Sequence, residues 1–483
     1  MITNFVMNTT TFSNEVPKRA LALDALRGIA ILAMILSSRI PYGSLPGWMY
    51  HAQNPPPSHA FNPALPGISW VDLVFPFFLF AMGAAFPFAL SKKLDAGIAK
   101  WKISLGILQR GLLLALFAIV IQHLRPTVIN ATPDLPTNMI SLIGFVLLFL
   151  IYTRYSQSIA KNSVLIIKGI GAAGLGSLLL MLSYADGKGF SVERSDIIIL
   201  VLSNVAVAGS LIWLFTRNNW LIRLSFLGLL IAIRLSAPIE GNWINWLWNN
   251  SPVPWLFKLY YLQYLLIVLP GTIAGDIILS WMNSKDDKNV TCSWDKKKLW
   301  IIAFSLIVML LIIMSGLYSR DVLLVTIAAF VFCVLFYFYL KNADTTEEIT
   351  IRKLFNWAAY WLMLGLFFEA YEGGIQKGRP TLSFYFVTTG LAIFLLISFF
   401  IIIQSLKKQI YLKLLIDNGQ NPMLAYAGGT NLLNPFLSIL FIDNLLSFLN
   451  ANPWLGVVKG IITTLMLAYI VKLFTFKKIF WRT

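Results

Sequence analysis

The chain has 483 residues, 58% of them hydrophobic and only 12% charged, and its formal net charge is +17. A mean hydropathy of +0.74 excludes an ordinary soluble globular domain. On a chain this apolar, surplus Lys and Arg orient helices and meet anionic headgroups, which makes membrane lipids the expected partner and excludes nucleic acid.

Apolar runs of roughly 18 to 22 residues recur from end to end, each long enough to cross a hydrocarbon core of about 30 Å. They are continuous and do not alternate, so a β-barrel is excluded. The expected fold is an all-α polytopic membrane bundle of about 12–14 transmembrane helices, with both termini cytoplasmic. Residues 1–20 are read as a cytoplasmic tail, 21–475 as the transmembrane domain with 39–69 as an outer loop, and 476–483 as a basic cytoplasmic tail. Candidate helices fall at 21–38, 70–90, 103–123, 137–153, 164–184, 197–215, 219–239, 256–280, 299–317, 322–340, 354–373, 382–404, 421–441 and 455–475.

The first span holds Asp24 and Arg27, three apart and so on one helix face, where they can pair. Ionisable residues inside a span are costly; these two either set helix depth at the headgroups or reach a phosphate-bearing ligand. These charges, and the lack of a small-residue cleavage site, argue against a removed signal peptide. The following loop carries His51 and His59 around the stiff stretch Asn54-Pro55-Pro56-Pro57 and runs into a span whose first turn holds Asp72. A neutral imidazole here can take a proton from a nucleophile or carry an acyl group, and Asp72 can fix its tautomer.

The third span carries Gln109 and Arg110, a second arginine at a depth similar to Arg27 and suited to an anionic cofactor handle or to lipid headgroups. Basic loops alternate along the chain, which places both termini inside and the His51/His59 loop outside, with His123 at the same outer end. The loop 240–255 contains Trp243 and Trp246, read as an interfacial aromatic belt or, alternatively, a sugar-stacking platform. Cys292 and Cys333 suggest neither a disulfide nor a metal site. Glu369 and Glu372 end a later helix before a basic loop containing Lys377, either as a solvated helix end or as a contact for a polar substrate. Gly428-Gly429 and Asn434-Pro435 interrupt 421–441, which is expected to be broken or re-entrant.

Several of these stretches resemble a known family. Arg19, Leu23-Asp24, Arg27-Gly28, the His-Ala of the first loop, Gly67, Asp72-Leu73-Val74-Phe75-Pro76 and Met82-Gly83 look like the transmembrane acyltransferases related to heparan-α-glucosaminide N-acetyltransferase. Leu108-Gln109-Arg110, then Lys377, Thr381, Ser383 and Thr389-Gly390, and more weakly Asn421-Pro422-Met423 through Tyr426, are similar to later stretches of that family. The resemblance implies transfer of acetyl from acetyl-CoA to an amino sugar or glycan on the far side of the membrane, with a first-loop histidine as the catalytic residue and no metal. Both histidines remain candidates: His59 lies thirteen residues before Asp72 and His51 twenty-one.

The expected function is therefore a membrane-embedded acetyltransferase, with Arg27, Arg110, Asp24 and Gln109 toward acetyl-CoA. His59 or His51, with Asp72, would do the chemistry, and Glu369, Glu372, Lys377, Trp243 and Trp246 would face the acceptor. The competing expectations are a sugar or lipid-linked glycan transporter and a polysaccharide O-acetyltransferase. A bacterial inner membrane is the expected location, and a homodimer is an allowed assembly.

Overall fold

A computed structural model describes residues 20–156, 159–284 and 292–483. The polar tail with Arg19, and the loop lysines Lys285 and Lys288, lie outside the described residues. The chain winds through α1 (Leu21–Ser37), α2 (Trp70–Asp95), α3 (Lys100–His123), α4 (Leu135–Tyr152), α5 (Lys161–Met181), α6 (Ile197–Thr216) and α7 (Trp220–Ser236). It continues through α8 (Leu265–Asn283), α9 (Lys296–Ser319), α10 (Val322–Tyr339), α11 (Thr346–Tyr371), α12 (Leu382–Phe400), α13 (Lys413–Gln420), α14 (Pro422–Gly428), α15 (Asn434–Ile439) and α16 (Pro453–Phe476).

Among the described residues, ten helices are long and apolar enough to cross a membrane, so the all-α polytopic class holds. The other four expected spans are shorter, more charged or broken. Helices α1 and α7 have 17 residues each. The first two turns of α11 hold Glu347, Glu348, Arg352 and Lys353. The stretch 421–441 is split, as its glycines and prolines foretold, into α14, a π-turn at Gly429–Leu433 and α15.

Helix α12 is apolar all round and buried along its whole length, so it forms the centre of the bundle. Helices α11, α9, α2, α8 and α1 pack around it, while α5 and α10 stay at the rim. Helices α2 and α8 approach so closely that a Cβ on Gly83 would lie 2.2 Å from the Val268 carbonyl oxygen, and one on Gly275 2.2 Å from that of Ala84. Small residues permit this backbone-to-backbone contact, which fixes the helix carrying Asp72.

The last residues do not form a solvated basic tail. Beyond α16 the chain reverses and pairs with the end of α4: Arg154 N–H donates to Phe480 O at 2.8 Å, and Arg482 N–H to Tyr152 O at 2.8 Å. Trp481 is fully buried against Phe117, Phe145, Phe149 and Tyr152.

Candidate functional site: a histidine held at the head of a cavity

The site is built on the first turn of α2. Ser69 and Asp72 form a capping box, which satisfies donors that a helix start leaves open. Asp72 is wholly buried, and its Oδ2 accepts from Ser69 N at 2.9 Å and Ala52 N at 3.1 Å, with Ser69 Oγ 3.2 Å away. Its Oδ1 is left for His51, whose Nδ1 lies at 2.6 Å. The loop is wound to present that ring: Ser69 Oγ donates to Tyr50 O at 2.5 Å, and Gln53 Nε2 donates to Leu65 O and Gly67 O.

A third member arrives from the α11–α12 loop. Gly67 N–H donates to Ile375 O at 2.7 Å, and Gln376 Nε2 to Ala64 O at 3.0 Å, so that loop lies across the first one. Lys377 Nζ thereby comes within 3.5 Å of Asp72 Oδ1 and 3.1 Å of His51 Nδ1. A carboxylate accepts and cannot donate, so Nδ1 carries the proton given to Asp72. An ammonium has no lone pair for that N–H, so the charged lysine is held by Asp72 and merely abuts the ring. Burial lowers the Lys377 pKa below the usual lysine range, partly offset by Asp72. With Nδ1 occupied, Nε2 keeps its lone pair, and the His51 side chain is 42% exposed.

His59 sits elsewhere. Its φ of 50° and the bond from its N–H to Pro55 O turn the chain back, and its ring lodges between Tyr42 and Tyr50 with centroids 4.8 and 4.5 Å away. Its Nε2–H donates to Gly43 O at 3.2 Å, and its buried Nδ1 has no hydrogen-bond partner among the described residues. Asp72 thus engages His51, the histidine more distant in sequence. His123 is also fully buried, with Nδ1–H donating to Ile119 O at 2.8 Å and Nε2 accepting from Ser191 N at 3.3 Å.

The acidic pair of α11 braces the Lys377 loop and does not stand open. Glu369 is buried, with Oε1 2.6 Å from Arg320 Nη2. Glu372 caps α12, accepting from Leu382 N at 2.7 Å and Ser383 N at 2.8 Å. Trp243 and Trp246 lie on a short helical turn, 73% and 66% exposed. Their neighbour Trp248 is the one that joins Arg234, Gln263, Glu372 and Arg379 around a cleft of about 490 Å³.

Arg27 and Arg110 do come together, on one cavity of about 240 Å³. It follows α1 from Arg27 to Met34 and α2 from Met82 back to Val74, about 10–12 Å at 1.5 Å per residue. Val74 is two residues from Asp72, so this cavity climbs toward the turn that holds His51. Arg27 is fixed by Asp24 at 3.4 Å, Gly419 O at 3.2 Å and Ala81 O at 3.4 Å. It also lines a second cavity of about 570 Å³, with Asp24, Lys92 and Asp95, toward the opposite end of the bundle. Gln109 is exposed on α3 outside both cavities, whereas Tyr426 faces the first and donates to Asp196 Oδ2 at 2.7 Å.

Sequence reasoning paired Asp72 with a loop histidine, but left open which one and did not bring Lys377 to the pair. Ser69 was findable as a helix cap three residues before an acid, a pattern that reads directly from sequence. Tyr42 and Tyr50, which enclose His59, gave no such signal.

No curated protein matches the sequence. A family profile described as a domain of unknown function, DUF5009, matches residues 19–278. That stretch covers more than half of the chain and includes Arg27, His51, Asp72 and Arg110, while Lys377 lies beyond it. The chain therefore belongs to the DUF5009 family.

Proposed function

We propose that this chain is a membrane-embedded acyltransferase that moves acetyl from acetyl-CoA to an amine on a sugar or glycan, with His51 as general base. The observation that carries this reading is the His51–Asp72–Lys377 group, whose Asp72 lies two residues beyond the Val74 end of a cavity that begins at Arg27 and Arg110. The two cavities that share Arg27 would admit a long donor from the end opposite His51. Lys92, Arg217 and Lys353 gather at that opposite end, which supports its assignment to the cytoplasm.

His51 Nε2 would take a proton from the acceptor's ammonium group, and the freed amine would attack the thioester carbonyl. As the C–S bond breaks, the imidazolium would return its proton to the leaving thiolate, and the imidazole so freed would take the second proton from the new amide nitrogen and pass it to water. Asp72 Oδ1 keeps the Nδ1 proton in place throughout and stabilises the transient charge on the ring. Arg27 and Arg110 offer guanidinium forks suited to phosphate.

The test uses membranes carrying the full chain, labelled acetyl-CoA and glucosamine as acceptor. His51→Ala is expected to lower transfer at least ~100-fold, the usual size of a general-base contribution, while His59→Ala retains most of it. Full activity in both variants would sink the mechanism. Sugar movement without release of free CoA would instead mark a transporter.

A further inference from the structure

Another cavity in the bundle lies apart from the histidine site. A groove of about 910 Å³ opens at the end opposite His51. Helix α8 is its floor, the junction of α6 and α7 one wall, and the first turns of α11 the other. It follows α8 inward from Ser284 to Ile273, about 16 Å at 1.5 Å per residue.

Its chemistry changes with depth. The mouth holds Arg217, Lys353, Ser280 and Ser284, flanked by the indoles of Trp220 and Trp281. Farther in lie Ile273, Ile277 and Trp357, the last tied to Pro270 O at 3.1 Å. The one acid facing this interior, Asp276, is already answered by the wholly buried Arg223 at 2.6 Å and by Trp213 Nε1 at 3.0 Å. Arg217 meets Asp95 at 2.9 Å in an exposed pair of little strength. Among the described residues, Lys353 pairs with no carboxylate, so the mouth presents net positive charge. One wall also carries Ser91, a buried residue whose Oγ has no hydrogen-bond partner among the described residues.

We infer that this groove seats an anionic phospholipid, with its phosphate on Arg217 and Lys353 and one acyl chain along Ile273, Ile277 and Trp357. A soluble phosphate compound would fill the mouth and leave the apolar inner half empty; a lipid matches both halves. Indoles at the mouth are at home at headgroup depth, and each cation near an anionic headgroup contributes measurably to its capture. The groove contains none of His51, Asp72 and Lys377, and it touches the Arg27 cavity of about 570 Å³ only through Ser91 and Leu279.

The test is native mass spectrometry of the purified full chain in detergent, titrated with phosphatidylglycerol, phosphatidylcholine or ADP. The expected result is saturable retention of about one phosphatidylglycerol in preference to phosphatidylcholine, weakened about 30-fold in the double variant Arg217→Gln/Lys353→Gln. Ile277→Trp, which narrows the inner half, should abolish retention; the double variant changes only exposed side chains and keeps the test decisive if Ile277→Trp misfolds. Equal retention of the two lipids, an unchanged double variant, or displacement of phosphatidylglycerol by equimolar ADP would each overturn the inference.

Discussion

His51 and Lys377 meet on a single carboxylate oxygen of Asp72. While the lysine is charged it is bound to Asp72, so the acid is held from two sides. As pH rises through the depressed Lys377 value, that charge disappears, the tie to Asp72 weakens and the loop loses its grip on the ring. Acetyl transfer is therefore expected to fall at alkaline pH, below the range where an ordinary lysine titrates. Arginine does not deprotonate in this range, so Lys377→Arg should move the fall upward and Lys377→Met should remove it. A pH–rate profile of the three proteins checks this, and coincident profiles would refute the role given to Lys377. The pairing of a loop histidine with Asp72 was legible in the sequence, but spacing revealed neither which histidine it is nor the arrival of Lys377. His59 is nearer to Asp72 in sequence, but the turn at Pro55–His59 carries it away, and Lys377 lies some three hundred residues downstream of both.

Elements were more legible than contacts. The hydropathic runs located the helices because a bilayer requires continuous apolar length, and Gly428-Gly429 with Asn434-Pro435 marked the break because neither pair favours an unbroken helix. What hydropathy does not carry is the use made of polar residues at helix ends. Glu372 looked like an acid awaiting a substrate, yet both of its oxygens are spent on the first amides of α12. Glu372→Ala should cost about 1–2 kcal/mol, the worth of a lost helix cap. Thermal unfolding in detergent should show a lowered midpoint, and because the Lys377 loop joins α11 to this cap, acetyl transfer should fall with it. An unchanged midpoint would mean that α12 is held by packing alone.

For the whole molecule, the C-terminal segment closes the bundle from behind. Asn421 accepts from Trp481 N–H at 3.1 Å and donates to Ile479 O at 2.8 Å, which ties the last residues to the broken segment before α14. Trp481 then fills the space between α3 and α4 and lines the Arg27 cavity. Composition suggested a basic tail because Lys477, Lys478 and Arg482 dominate a short stretch; the single tryptophan that docks it is invisible to a charge count. Trp481→Ala should remove about 3–5 kcal/mol and enlarge the cavity wall. Size-exclusion profiles after graded heating should register an earlier loss of the monodisperse peak, and a profile like that of the parent chain would show the tail to be dispensable.

The capping box of α2 has one more consequence. The same carboxylate that starts the helix also aims the imidazole, so the hydrogen bonds of a structural turn and those of the reactive group are a single cooperative set. Fraying of residues 69–72 would misdirect His51 while every other helix stayed intact. Inactivation by heat or alcohol should then precede bulk unfolding, with the amides of Ser69 and Ala52 exchanging hydrogen early and in step with lost turnover.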